Sequence, residues 1–285
     1  MDIRQLVILG LQVSIIGTVF SFGLNTTAAD FRYLFERPGL LVRSLLAVLV
    51  LTPLAAVVLV RVFNFQLAAE IAVAALAISP LPPLLPSKET RAVGDASFGL
   101  ALMAVLALLA IATVPLSAEV LELVLGRPFS VSAATIARMV LVAVIVPLLA
   151  GMIVRARLPA VTERIEPIVS LLAKVMLTAA VLVLLIAMWR GITGAIGGGA
   201  IACMVVFVVL ALVIGDLMGR PDRDHSVVLA LSCASRHPAI ALSIATANNP
   251  NEHFAGTILL YLLVNAVVGV AYLKWRQTAA SAVAA

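Results

Sequence analysis

The sequence predicts an all-α membrane protein of nine transmembrane helices, arranged as an inverted repeat with two broken helices that cross. Three observations predict it. Hydrophobic residues make up 63% of the 285 and charged residues only 12%, against about half and about a quarter in a soluble domain. The apolar residues fall into segments of roughly 20, the length that spans a bilayer. Two of those segments are interrupted midway, at Ser79–Lys88 and at Ser232–Pro238, and the interruptions hold most of the unusual polar residues.

Reading for length and apolar continuity places helices near 4–24, 39–61, 66–94, 95–117, 134–155, 168–188, 194–217, 226–246 and 253–273. The opening Met1-Asp2-Ile3-Arg4 leads into an apolar stretch longer than a signal-peptide core, so the first helix is expected to be retained. Short connections carry breakers: Arg37-Pro38-Gly39, Arg127-Pro128, Leu158-Pro159, Gly219-Arg220-Pro221 and Asn248-Asn249-Pro250-Asn251. No segment suits a soluble domain, so residues 1–285 are expected to form one transmembrane domain. Its two repeats cover about 1–126 and 127–285, the first lacking an opening helix.

The third and eighth segments are the broken ones. Gln66 to Ser79 is too short to span alone, and Lys88 to Gly94 is shorter and polar, so the pieces span only as one helix with an unwound middle. Unpaired backbone cannot face lipid, so such breaks belong inside the protein or beside a cavity. Paired breaks in corresponding positions of two halves point to the binding site of a secondary transporter. The breakers are Pro80, Pro82, Pro83 and Pro86 in the first, and Pro238 in the second. Nine spans with the N-terminus outside put Arg32, Arg37, Arg43, Arg155, Arg157 and Arg164 on the inner face, as the positive-inside rule requires. The expected setting is a bacterial plasma membrane with a cytoplasmic C-terminus.

The net charge of +5 invites a nucleic-acid reading, but the basic residues are dispersed and membrane orientation accounts for them, so no nucleic-acid partner is expected. Cys203 and Cys233 sit in apolar segments without a metal-ligand spacing. Gly197-Gly198-Gly199 lacks the Lys-Ser/Thr of a phosphate loop and suits close helix approach. Ser235, His237 and Asp216 do not form a catalytic triad, so enzyme chemistry is not expected.

Gly10-Leu11-Gln12 through Phe35-Glu36-Arg37-Pro38, Pro53, Ala69-Glu70-Ile71-Ala72-Val73, Ser79-Pro80 and Gly94-Asp95-Ala96-Ser97 together resemble the bile acid:sodium symporter family. The family's first crossover aligns without a gap from Pro80 to Leu100, and its second falls on Ser232-Cys233-Ala234-Ser235-Arg236-His237, followed by Ala239-Ile240-Ala241-Leu242. The resemblance implies a panel domain and a core domain with substrate between them. It implies organic anions (bile acids, pantoate-like or keto acids, steroid conjugates) as the substrate class.

The chain departs from that family at the sodium ligands. Where the second crossover has Glu, Gln and Asn, this chain has Ser232, Arg236 and His237. In the first, Gly-Gly becomes Leu81-Pro82 and Ser-Asn becomes Leu85-Pro86. A guanidinium at a cation site repels the cation by several kcal/mol at low dielectric, so no cofactor is expected and bound Na⁺ is disfavoured.

Arg236, His237, Ser232 and Ser235 from one break, with Ser79, Ser87 and Lys88 from the other and Asn265 from the last helix, are the expected substrate-binding residues. Two readings of Arg236 stand: a fork for a substrate carboxylate, sulfate or phosphate, or a neutraliser of half-helix carbonyls in place of sodium. His237, Glu89 and Asp216 are the candidate proton carriers, with a neutral His237 bonded to unwound backbone as the plainer reading. Asp95 is expected to cap the fourth helix, and Lys174 to reach the inner headgroups. Tyr261 and Asn265 can line the cavity or bond a neighbouring helix. The expected function is alternating-access transport of a small organic anion across the lipid bilayer, by uniport or proton coupling. The alternatives are a sodium symporter using backbone ligands and a non-transporting receptor on the same fold.

Overall fold

The computed structural model describes residues 3–63, 65–82, 95–249 and 252–284, and all regular structure among them is helical. In chain order the helices are α1 (Ile3–Asn25), α2 (Ala28–Phe35), α3 (Pro38–Val62), α4 (Leu67–Ile78), α5 (Ala96–Leu125) and α6 (Ala133–Arg157). They continue as α7 (Pro159–Ala187), α8 (Trp189–Gly194), α9 (Ala200–Gly219), α10 (Arg223–Ala234), α11 (Pro238–Asn248) and α12 (Phe254–Ala284). Seven helical stretches among the described residues are long and apolar enough to cross a membrane, taking α10 and α11 together as one. Leu9–Asn25 and Leu67–Ile78 are shorter apolar helices. The chain is a multi-pass membrane protein.

Several boundaries differ from expectation for one reason: reading for twenty apolar residues finds the lipid-buried part of a helix and misses its extensions. The helix expected at 168–188 begins at Pro159, which fills the first helical position where a missing N–H costs nothing. Lys174 is therefore deep in α7 and exposed on its surface, rather than six residues from the helix start. The fourth helix runs on to Leu125, closed by Gly126 at φ 67°. The helix expected at 194–217 is split. Gly198 and Gly199, with positive φ, separate α8 from α9 and pack on Gln66 and Phe65.

Two packing groups emerge. The first helix, α1, lies along α6 and α7, while α3, α4, α5, α9, α10, α11 and α12 pack among themselves, and α6 also meets α5. Glycines set the closest approaches. A methyl on Gly151 would lie 2.3 Å from the Phe20 carbonyl oxygen and 2.8 Å from the Gly23 Cα, so α1 and α6 touch backbone to backbone. Gly215 and Gly219 do the same for α9 against Ala230 and Ser226 of α10. Small residues one turn apart are how membrane helices reach van der Waals contact without a hydrophobic driving force.

The short broken helices are the innermost. Every residue of α4 from Ala68 to Ile78 except Glu70 is buried, as is every residue of α10 from Ser226 to Ala234. Much of α7, by contrast, is exposed, including Ile168, Leu171, Leu172 and Val175. Unwound backbone is enclosed by protein while apolar side chains face outward, which is the arrangement a bilayer permits.

Candidate functional site

Pro238 sets the second break. It occupies the first position of α11 and has no N–H for the carbonyl of Ala234 four residues earlier. That oxygen accepts from the Tyr261 hydroxyl at 2.5 Å, and the same hydroxyl accepts from the Arg236 backbone N–H at 2.9 Å. The next amide, His237 N–H, leaves its own helix and donates to the carbonyl of Pro80 at 2.9 Å, joining the two breaks directly. On the facing break Pro80 removes a donor in the same way. The Leu76 carbonyl is satisfied by Ser79, through both its amide (3.0 Å) and its hydroxyl (2.8 Å).

Arg236 completes the crossing. Its side chain is 1% exposed. Nε donates to the carbonyl of Cys233 at 2.9 Å, Nη1 to that of Ser79 at 3.2 Å and Nη2 to that of Val48 at 3.1 Å. The three acceptors come from α10, from the end of α4 and from the middle of α3. Val48 is available because α3 winds as a π-helix over Ala47–Leu51. The Thr52 N–H, which would serve Val48 in an α-helix, goes to Ala47, and Pro53 has no N–H to offer in the π pattern. Residues 47–53 thus aim one free carbonyl inward. The guanidinium has no carboxylate partner among the described residues.

His237 is buried like Arg236, and its Nδ1 has no hydrogen-bond partner among the described residues. Ser232 is buried within α10, and Ser235 is half-buried at its C-terminal end. Asn265 follows Tyr261 by one helical turn, on the same face of α12. The structure therefore brings together Arg236, His237, Ser79, Ser232, Ser235, Pro80 and Pro238, with Tyr261 as the side chain that binds them. Ser87, Lys88, Glu89, Pro83 and Pro86 lie outside the described residues, while Pro82 is buried beside the crossing.

Asp216 does not join the site. It sits near the far end of α9, accepting from Tyr272 at 2.7 Å and paired with Arg276 at 3.1 Å and Arg220 at 3.3 Å. Two cations and a phenol surround its side chain, tying α9 to α12. Sequence reading missed the Val48 carbonyl, whose signal was Pro53. It also missed a second polar cluster built on Asp30, Tyr33, Asp95 and His225, because its members are scattered through the chain. Asp95 does cap α5, accepting from Phe98 N at 3.0 Å.

A family model described as the sodium bile acid symporter family matches residues 12–195. The chain belongs to this family. No curated protein matches it. Sodium bile acid symporter family proteins are membrane transporters rather than enzymes, and the transporter reading of the sequence stands on that membership. The family match takes in the described part of the first break, the π segment of α3, all of α6 and α7, and α1 from residue 12 onward. It stops short of residues 232–238, where this chain carries Ser232, Arg236 and His237.

Proposed function

We propose that this chain is a nine-helix carrier that moves a small organic anion by alternating access of its two helix groups, without sodium. In this reading α1 and α4 supply the two spans that add to the seven long apolar stretches, and the repeats are about 1–126 and 127–285. The N-terminus lies outside and the C-terminus in the cytoplasm of a bacterial cell.

The guanidinium of Arg236, held by three backbone carbonyls, carries the proposal. Carbonyl oxygens converging from three helices are what a hard cation takes as ligands, and here the cation is part of the chain. A sodium ion at the same place would have to displace charge-assisted hydrogen bonds and meet a fixed positive charge. The residues present do not fit the ion. They suit an anion better: Arg236 supplies a positive charge with no carboxylate beside it among the described residues, and the N-terminus of α11 points its partial positive charge at the same region. His237 Nδ1 and the hydroxyls of Ser232 and Ser235 stand beside it, and Ser79, Ser87, Lys88 and Asn265 complete the proposed lining.

The test is the thermal stabilisation of the purified protein by a panel of monocarboxylates, dicarboxylates and sulfonates, run in parallel in NaCl and in N-methylglucamine chloride. The expected result is an anion-dependent rise in Tm that is the same in both salts, followed in liposomes by flux of the same anion without sodium. A rise in Tm caused by Na⁺ alone would overturn the proposal and restore a sodium symporter with backbone ligands.

A further inference from the structure

His225 stands where three elements meet, apart from the crossing. It lies in the first turn of α10 and is largely buried, its side chain 13% exposed. Its Nε2 is 2.8 Å from the Tyr33 hydroxyl on α2 and 3.6 Å from Oδ2 of Asp95, the residue that caps α5. Its Nδ1 is 3.5 Å from Oδ1 of Asp222, the cap of its own helix. Phe98 of α5 packs edge-on against the ring at 5.0 Å. Each ring nitrogen thus faces a carboxylate, and a phenol stands between one of them and α2.

The surrounding contacts fasten α2 as a whole. Asp95 and the Tyr33 hydroxyl both flank Nε2 of His225, and Arg37 covers the phenol at 3.6 Å from the ring centre. One turn away, Asp30 accepts from the Ser97 hydroxyl of α5 at 2.6 Å and from the Thr27 amide and hydroxyl at 2.7 Å each. This helix is the connection between α1, which belongs to one packing group, and α3, which belongs to the other. Whatever holds α2 on α5 and α10 therefore fixes one group against the other at this end of the molecule.

We propose that His225 is a proton-operated latch: binding a proton there fastens α2 to the starts of α5 and α10, and releasing it loosens them. In the neutral ring Nε2 accepts from the Tyr33 O–H. A proton taken up on Nε2 reverses that bond. The new N–H donates to the phenol oxygen, the phenol hydrogen turns away from the ring, and the imidazolium stands between Asp95 and Asp222. Protonation turns both contacts between the ring and a carboxylate into ion pairs, so the latch closes as pH falls and opens as it rises. Imidazole is the side chain that ordinarily changes charge between pH 5 and 8. Tyr33, pushed up to about 12 chiefly by burial and then by Asp95, stays protonated throughout that window.

The experiment is hydrogen exchange of the full chain in detergent micelles at pH 5.5 and pH 8, corrected for intrinsic exchange and read on peptides spanning 26–37. The wild type should show several-fold stronger protection of these peptides at pH 5.5, with α7 peptides unchanged. His225→Gln should make the two pH values equal. Tyr33→Phe, which keeps the histidine and removes the contact with α2, should leave protection low at both. A pH difference that persists in His225→Gln, or its absence from the wild type, overturns the latch. No substrate is needed, so the outcome is independent of whether the chain carries an anion or ignores sodium.

Discussion

Nη2 of Arg236 lies 3.1 Å from the carbonyl oxygen of Val48, and Pro53 is the reason that oxygen is free. The two residues are 188 positions apart. A proline on one helix decides whether an arginine on another has its third partner. Pro53→Ala supplies an N–H that competes for that carbonyl, so its effect should be coupled to Arg236→Gln. A double-mutant cycle by thermal unfolding should show a coupling of about 0.5–3 kcal/mol. Additivity within the error of the method would separate the two residues.

Removing the arginine leaves three buried carbonyls without donors, each costing about 1–3 kcal/mol. Arg236→Met should therefore destabilise the fold by about 3 kcal/mol or more, the sum of three orphaned acceptors at the low end of that range. Arg236→Ala should do something more specific. It uncovers three converging oxygens, and the variant should gain a Na⁺-dependent rise in Tm that the wild type lacks. An Arg236→Ala protein equally indifferent to sodium would show that the carbonyls do not form a cation site.

Tyr261 serves both sides of the second break with one hydroxyl. Tyr261→Phe keeps the ring and its packing near Phe207, 6.3 Å away between centroids, but orphans the Ala234 carbonyl and the Arg236 amide. The expected loss is about 1–3 kcal/mol, read by thermal unfolding. A neutral result would mean that water replaces the hydroxyl.

The crossing was legible in the sequence where prolines marked it. Pro80 and Pro238 interrupt apolar runs, and Arg236 and His237 stand out as polar residues at membrane depth. The function of Arg236 was not legible, because a guanidinium that binds substrate and one that binds backbone look alike until the acceptors are placed. Val48 carries no side-chain signal at all; its role lies in its main chain. The cluster around His225 was hidden differently. Asp30, Tyr33, Asp95 and His225 belong to three separate helices or their caps, and only the packing of α2 on α5 and α10 brings them together. Helix ends were misjudged where amphipathic turns extend past the apolar core, as at Pro159.

Contact between α1 and α6 leaves no room for a side chain. Gly151→Ala would place a methyl 2.3 Å from the Phe20 carbonyl and should cost about 1–3 kcal/mol as the helices separate. Gly10→Ala, on the same helix as Gly23 but with open space around it, should be nearly silent. A Gly151→Ala protein no less stable than Gly10→Ala would argue that the close approach of α1 and α6 is not a constraint on stability.

Strong acid, well below the range of the latch, should loosen α2 and so oppose it. Burial raises the Asp30 carboxyl, but hydrogen bonds from the Ser97 hydroxyl and from the Thr27 hydroxyl and amide, with the more distant Arg155 charge, lower it further, and the net shift is downward from 3.8. A depressed carboxylate contributes stability that is present above its unfolded value and lost as pH falls through its folded value. Asp30→Asn should therefore lower stability at neutral pH and flatten the part of the pH–stability curve below about pH 4. A variant with an unchanged acid limb would assign that limb to other carboxylates.

The cation at the crossing is covalently part of the protein, and that has an electrical consequence. A symported sodium ion would cancel a monoanion's charge, whereas Arg236 stays behind when the substrate leaves. Where no proton accompanies the substrate, each turnover of the carrier proposed here moves the anion's charge alone, and transport is then electrogenic. An inside-negative potential of about 100 mV then biases a monoanion outward by about 2.3 kcal/mol. Such a protein would work against uptake and in favour of release from the cell.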